Sequence, residues 1–151
     1  MAKEQDTRVA SALMTSVGLL VRRLRQAQAC GVLTIPDSEL TIPETSALAR
    51  LDRSGPTTAT ALAKAEQISP QSMGATLAAL EARGLVERHR DADDGRRAVI
   101  SITKGGQKEL RNRRDARAQY VARILTKDFT QSEIEQLAAV TPLVERLAQG
   151  I

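Results

Sequence analysis

Between Thr7 and Ala29 apolar residues recur at Val9, Leu13, Val17, Leu20, Val21 and Leu24. Steps of three and four residues place them on one stripe of an amphipathic helix, with Arg22, Arg23 and Arg25 on its other faces. Gly31, Pro36 and Pro43 interrupt the pattern. Pro43 suits the first turn of a second helix through Ala47, Leu48 and Leu51, which Ser54, Gly55 and Pro56 end. Thr57 or Thr58 caps a short third helix carrying Ala61, Leu62 and Ala65. Gln67 and Ile68 make a tight connection. Ser69 then caps a fourth helix that Pro70 opens and Gly84 stops, because glycine takes the left-handed backbone of a helix end without a Cβ clash.

The period next changes from 3.6 to two. Leu85, Val86, Glu87 and Arg88 predict one strand and residues 98–102 a second, joined through the turn DADDG. A long helix is expected from about Thr103 to Lys127. Thr130 with Glu133 forms a capping box for a last helix through Ile134, Leu137, Val140, Val144 and Leu147. Pro142 lies inside that pattern and predicts a kink or break.

Two short helices about a dozen residues apart, joined tightly and followed by a hairpin, form a winged helix-turn-helix pattern. The expected fold is therefore mainly α with a small two-stranded antiparallel wing. The apolar stripes at the two chain ends exceed what the winged region needs. They are assigned to N- and C-terminal dimerisation helices, the alternative being a monomeric helical layer. Residues 1–35 and 104–151 make that helical region and residues 36–103 the winged lobe, in one intertwined domain.

Composition narrows the function. The 151 residues carry 22 Lys+Arg against 18 Asp+Glu, a net charge of +4 compatible with nucleic acid or acidic lipid. Tyr120 and Phe129 are the only aromatics, so the core must be aliphatic. Cys30 is the single cysteine, which rules out an intramolecular disulfide and a cysteine-based metal cluster. MAKEQDTRVA has no signal-peptide core, and no apolar run approaches the ~18 residues of a membrane span. A soluble cytoplasmic protein is expected, with no membrane partner. His89 is the only histidine, and no nucleophile motif, phosphate loop or metal-ligand spacing occurs, so enzyme chemistry, cofactor and metal are not expected. Asp91, Asp93 and Asp94 could suggest a cation site, but Arg96 and Arg97 beside them oppose it, and calcium-loop spacing is absent.

The fourth helix turns Met73, Leu77 and Leu80 to the core and leaves Gln71, Ser72, Ala75, Ala79 and Thr76 toward the opposite side. Small side chains allow close approach to a groove. Gln71 and Ser72 near the N-terminus can bond base edges or phosphates, which the helix dipole favours there. At the hairpin tip Arg96 and Arg97 follow three aspartates, with Arg88, His89 and Arg90 on the incoming strand. Such an arginine can enter the negative minor groove, and Asp94 can hold its guanidinium by a paired hydrogen bond. The plain alternative is a solvated turn of mutually neutral charges.

LTIPE at 40–44, TALAKAEQIS, SPQSMGATLAALEARGLVER and DADDGRRAVISIT together resemble the MarR (multiple antibiotic resistance regulator) family of bacterial transcription regulators. The resemblance covers nearly the whole chain, and the D-x-x-D-G-R-R wing is its specific part. It implies a homodimer on double-stranded DNA with a pseudo-palindromic operator, helix 70–83 in the major groove and wing 88–98 in the minor groove. Arg96 would be the wing-tip arginine and Asp94 its orienting partner. The DNA-binding set is then Lys64, Ser69, Gln71, Ser72, Thr76, Arg88, Arg90, Asp94, Arg96 and Arg97. Ala75 and Ala79 stand where family members often carry arginine or polar residues, which shifts binding toward the wing and flanking residues such as Lys64. The resemblance also implies a repressor released by a small aromatic or phenolic ligand, with Arg22 and Arg23 as candidate contacts to a carboxylate. An effector-independent or architectural DNA-binding protein, or a thiol sensor acting through Cys30, are the alternatives.

Overall fold

The computed structural model describes residues 1–35 and 40–151. Pro36, expected to interrupt the chain after the first helix, lies outside the described residues. Among these the order is α1 (Ala2–Ala29), α2 (Ile42–Ser54), α3 (Ala59–Ala65), α4 (Pro70–Ala82), β1 (Val86–Arg90), β2 (Ala98–Ile102), α5 (Lys104–Asp128) and α6 (Gln131–Gln149). The fold is mainly helical with one two-stranded antiparallel sheet. It divides into a helical unit, residues 1–34 and 116–151, and a winged unit, residues 35–115.

Local chemistry fixes the helix starts of the winged unit. Thr41 and Glu44 form a reciprocal capping box for α2: the Thr41 N–H donates to Glu44 Oε2 at 2.7 Å and the Glu44 N–H to Thr41 Oγ1 at 3.4 Å. Of the two candidate threonines before α3, Thr58 is the cap, its hydroxyl accepting the Ala61 N–H at 3.2 Å. Thr57 instead joins the sheet edge, exchanging backbone bonds of 3.0 and 2.7 Å with Ile100. Ser69 caps α4 by accepting the Ser72 N–H at 3.1 Å, with Pro70 in the first turn. Gly84, at φ +70°, closes the far end of α4 and sends the chain into β1.

Leu48, Leu51, Leu62, Met73, Leu77, Leu80 and Ile100 are fully buried and fuse α2, α3, α4 and the sheet into one aliphatic core. Met73, Leu77 and Leu80 are the inward face of α4, as the sequence predicts. The pairing runs from Val86 opposite Ile102 to Arg90 opposite Ala98. Strand β1 thus extends two residues past the expected end at Arg88, because each residue of Ala98–Ile102 finds a partner.

The first half of α5 also belongs to the winged unit, so the division falls near Ala116 and not at Lys104, and the chain forms two compact units. Gly106 makes the docking possible: a Cβ there would lie 2.3 Å from the Leu85 carbonyl oxygen and 2.7 Å from Ile102 Cγ1. Leu110 and Arg113, one and two turns on, are buried as well.

In the helical unit α6 crosses Pro142 without the expected break. Proline removes one N–H and frees the Ala138 carbonyl; Ala138 is exposed, so water can satisfy that group. Thr130 and Glu133 do form the expected capping box at the start of α6. Leu33 is this unit's one buried apolar residue among those described. Val9, Leu20, Leu137, Leu143 and Leu147 remain exposed, from 48% at Leu137 to 60% at Val9.

Candidate nucleic-acid interface

The N-terminal half of α4 presents Gln71, Ser72 and Ala75 to solvent, with Thr76 and Ala79 half-buried at the border of the core. Its hydroxyls are largely engaged within the helix. Ser69 Oγ donates to Ser72 Oγ at 2.9 Å, and Thr76 Oγ1 donates to the Ser72 carbonyl at 2.9 Å. Gln71 has no side-chain partner in the chain among the described residues. Its amide offers the donor and acceptor pair that matches adenine in a major groove. Lys64 is exposed in the last turn of α3.

In the wing, residues 92–98 are all exposed. The aspartates serve the backbone. Asp91 Oδ1 accepts the Asp93 N–H at 3.0 Å, and Asp94 Oδ1 accepts the Arg96 N–H at 3.0 Å. The Arg97 N–H closes onto the Asp94 carbonyl at 3.0 Å, and the Asp91 N–H onto the Arg97 carbonyl at 2.9 Å. This corrects the expected pairing of Asp94 with the Arg96 guanidinium. An aspartate two residues before a free N–H closes a turn on its own backbone, so Asp94 sets Arg96 through the main chain.

The arginines divide into two kinds. Arg88 is committed: its Nε lies 3.0 Å from Glu81 Oε2 on the last turn of α4, and both side chains are about two-fifths exposed. Arg90, Arg96 and Arg97 have no side-chain hydrogen bond or ion pair among the described residues. At the wing tip Asp91 and Asp94 thus bond to backbone, while Arg90, Arg96 and Arg97 are exposed. Glu81 is the residue that the sequence reading missed. Its partner lies seven positions away across the Gly84 turn, a spacing with no helix or strand period to reveal it.

Within the winged unit Glu66 ties α3 to α2. Its carboxylate accepts from the Ser46 hydroxyl and the Arg50 guanidinium, which together hold it below the ordinary carboxylate value. In the helical unit Arg22 and Arg23 are exposed on α1, and Cys30 is a free, exposed thiol just past its end. Arg117 of α5 donates to Gln28 Oε1 at 3.3 Å. Among the described residues no group of three His, Cys, Asp or Glu side chains could hold a metal ion, and no helix is long and apolar enough to cross a membrane.

Comparison with known proteins agrees with this geometry. The MarR family profile matches residues 40–98, from the α2 capping box to the start of β2. An HTH-type transcriptional regulator of Mycobacterium leprae is 32% identical over 137 residues, covering 90% of this chain and 91% of that protein. The crystal structure of a transcriptional regulator from Pseudomonas aeruginosa is 32% identical, covers 96% of this chain and 97% of its own, and superposes with a TM-score of 0.69. A point mutant of S. aureus MepR, solved bound to an oligodeoxyribonucleotide, shares the fold at 23% identity, with a TM-score of 0.63 over 88% of this chain and 96% of that one. With near full-length similarity to such regulators, and with a capped α4 and an outward-facing arginine wing, the chain belongs to the MarR family of DNA-binding transcription regulators.

Proposed function

We propose that this protein is a homodimeric repressor that binds a pseudo-palindromic operator and leaves it when a small molecule binds. Helix α4 enters the major groove with Ser69, Gln71, Ser72 and Thr76 at its leading end. Residues 88–98 reach the adjacent minor groove through Arg96, supported by Arg90, Arg97 and, from α3, Lys64. Asp94 shapes the tip, and Arg88 braces the wing against Glu81.

The observation that carries this reading is the wing itself: among the described residues three guanidiniums have no internal counterion, on a hairpin whose turn carboxylates Asp91 and Asp94 are bonded to backbone. Arginines so placed meet the strong negative potential of a narrow minor groove. The dimer is supported by the helical unit. Its apolar residues Val9, Leu20, Leu137, Val140, Leu143 and Leu147 are exposed along α1 and α6, more than a monomer leaves open in one region. With two α4 helices related by a two-fold axis, half-site centres lie about 10 bp apart. The effector, a small aromatic or phenolic molecule with Arg22 and Arg23 as candidate contacts, and the localisation in the cytoplasm rest on the family resemblance.

Arg96→Ala tests the proposal. A groove-inserted arginine contributes ~1–3 kcal/mol, so two per dimer predict a loss of about 30-fold to over 10,000-fold in DNA affinity. The melting temperature stays near that of the parent, since Arg96 is exposed and outside the core. An Arg96→Ala variant that binds DNA like the parent would return the wing to a solvated loop.

A further inference from the structure

The chain turns from α4 into β1 at Gly84 and Leu85, and from β2 into α5 at Thr103. One residue ties these two turns together. The Thr103 hydroxyl donates to the Gly84 carbonyl at 2.6 Å and accepts the Gly106 N–H at 3.1 Å. Its main-chain N–H donates to the Leu85 carbonyl at 3.1 Å. Thr103 thus holds the end of α4, the root of β1 and the first turn of α5 at a single point. Gly105 and Gly106 let backbone meet backbone there. A Cβ at Gly105 would lie 3.3 Å from the Gly84 carbonyl oxygen, and one at Gly106 would lie 2.3 Å from that of Leu85.

We infer that Thr103 is a positioning residue for DNA recognition: its hydroxyl fixes the angle at which the wing leaves α4, and so where Arg96 arrives relative to that helix. The inference rests on the DNA-binding reading above and adds to it a residue that acts through Arg96.

The two arms that meet at this joint are anchored unequally. Met73, Leu77 and Leu80 hold α4 in the core, whereas every residue of β1 beyond Val86 is exposed. Val86 and Ile100 pack the strand roots, but aliphatic packing is non-directional and tolerates a tilt that a bonded carbonyl does not. The Glu81–Arg88 pair braces the hairpin further out, where solvent weakens it. Direction is therefore set at the root, by the bonds to the Gly84 and Leu85 carbonyls. Asp91 stands six residues beyond Leu85, or ~20 Å at ~3.3 Å per residue. A tilt of ~10° at the joint then moves the tip by ~3.5 Å, more than half of the ~6 Å width of a minor groove.

The test is a double-mutant cycle on the full-length protein. Affinity is read by fluorescence titration of a duplex that the parent selects from a random pool, at low salt so that weakened variants still bind measurably. The melting temperature of every variant is recorded. Thr103→Val keeps the shape of the side chain and removes both hydroxyl bonds. Thr103→Asp keeps an acceptor for the Gly106 N–H, and so the cap of α5, but its carboxylate cannot donate to Gly84. Thr103→Ser keeps both bonds. Each is made in the parent and in Arg96→Ala. Residues that act through one contact couple by about 2- to 150-fold. Thr103→Val and Thr103→Asp are expected to lose about tenfold in the parent and less than about twofold in Arg96→Ala. Thr103→Ser is expected to restore parent-like binding. A merely structural role, or the added charge of aspartate, would cost the same factor in both backgrounds, and that result overturns the inference. Parent-like binding by Thr103→Val and Thr103→Asp overturns it as well. Should Thr103→Val not fold, Thr103→Asp carries the same cycle. If Arg96→Ala itself binds like the parent, the wing reading falls and the inference with it, a failure distinct from the other two.

Discussion

Asp94→Asn and Asp94→Ala both delete a negative charge from the wing tip, yet they differ in one bond. The asparagine side-chain carbonyl still accepts the Arg96 N–H, as Asp94 Oδ1 does at 3.0 Å, whereas alanine cannot. Charge effects on DNA binding therefore cancel between the two variants, and their difference isolates the turn. A hydrogen bond of this kind contributes ~0.5–1.5 kcal/mol. Because the tip must be ordered once in each wing, the dimer loses ~1–3 kcal/mol in alanine relative to asparagine, or about 5- to 150-fold in affinity. Residues 92–98 are exposed and outside the core, so both variants should melt close to the parent. The assay is a fluorescence titration of one duplex at one salt concentration, since phosphate contacts make affinity salt-dependent. Equal affinities for the two variants, both below the parent, would mean that the carboxylate charge positions Arg96 and that the backbone bond is incidental. Equal affinities at or above the parent's would mean that the order of the tip does not limit binding.

Gly106→Ala places a Cβ against the Leu85 carbonyl, which is held in turn by the Thr103 N–H at 3.1 Å, so neither side yields easily. Overpacking of this kind costs ~1–3 kcal/mol and lowers the melting temperature by about 3–10 °C; an unchanged value would show that α5 does not dock as described. Glu66 is held below its ordinary value near 4.5, so the stability it contributes is present above that pH and lost as pH falls through its folded-state value. The melting-temperature gap between parent and Glu66→Gln should therefore be widest near pH 6 and close in acid, and a gap constant from about pH 6 to 3 would contradict the linkage. Glu81→Gln releases the brace between the wing and α4 and should weaken DNA binding several-fold with little change in stability, because an ion pair this exposed is worth ~0–1 kcal/mol. Tighter binding would instead mean that Glu81 merely withholds the Arg88 guanidinium from phosphate.

The helices were legible where one rule dominated. Thr41 with Glu44 and Thr130 with Glu133 satisfy their own helix ends within three residues, so sequence alone locates them. The inward face of α4 follows from periodicity. Long-range consequences were not legible. Thr57 and Thr58 are chemically alike as caps, and only the approach of Ile100 assigns Thr57 to the sheet. Pro142 reads as a breaker because local rules count the lost N–H but not the exposure of the carbonyl it leaves. At the wing the residue types were apparent but not their partners. Asp94 and Arg96 look like an ion pair in sequence, yet a backbone N–H lies nearer to that carboxylate than any guanidinium tip. Glu81 and Arg88 meet only because Gly84 folds the chain back.

On the proposed reading, these bonding patterns give affinity and selectivity to different elements. In α4 the Ser69 hydroxyl is engaged as donor and acceptor, and the Thr76 hydroxyl donates to its own helix. Ser72 receives both, one on its hydroxyl oxygen and one on its carbonyl, so among the described residues there Gln71 is the exposed side chain whose donors and acceptor are all uncommitted. Ala75 adds only a methyl surface. A helix so equipped can discriminate at few base pairs by direct contact. The wing, in contrast, holds three uncommitted guanidiniums that respond to phosphate position and groove width, neither of which names a base. Affinity then follows from the wing. Much of the selectivity must come from how readily an operator narrows its minor groove at the distance where Arg96 arrives. That distance is fixed by the Glu81–Arg88 pair and the Asp94 turn, so both act on sequence preference without touching a base.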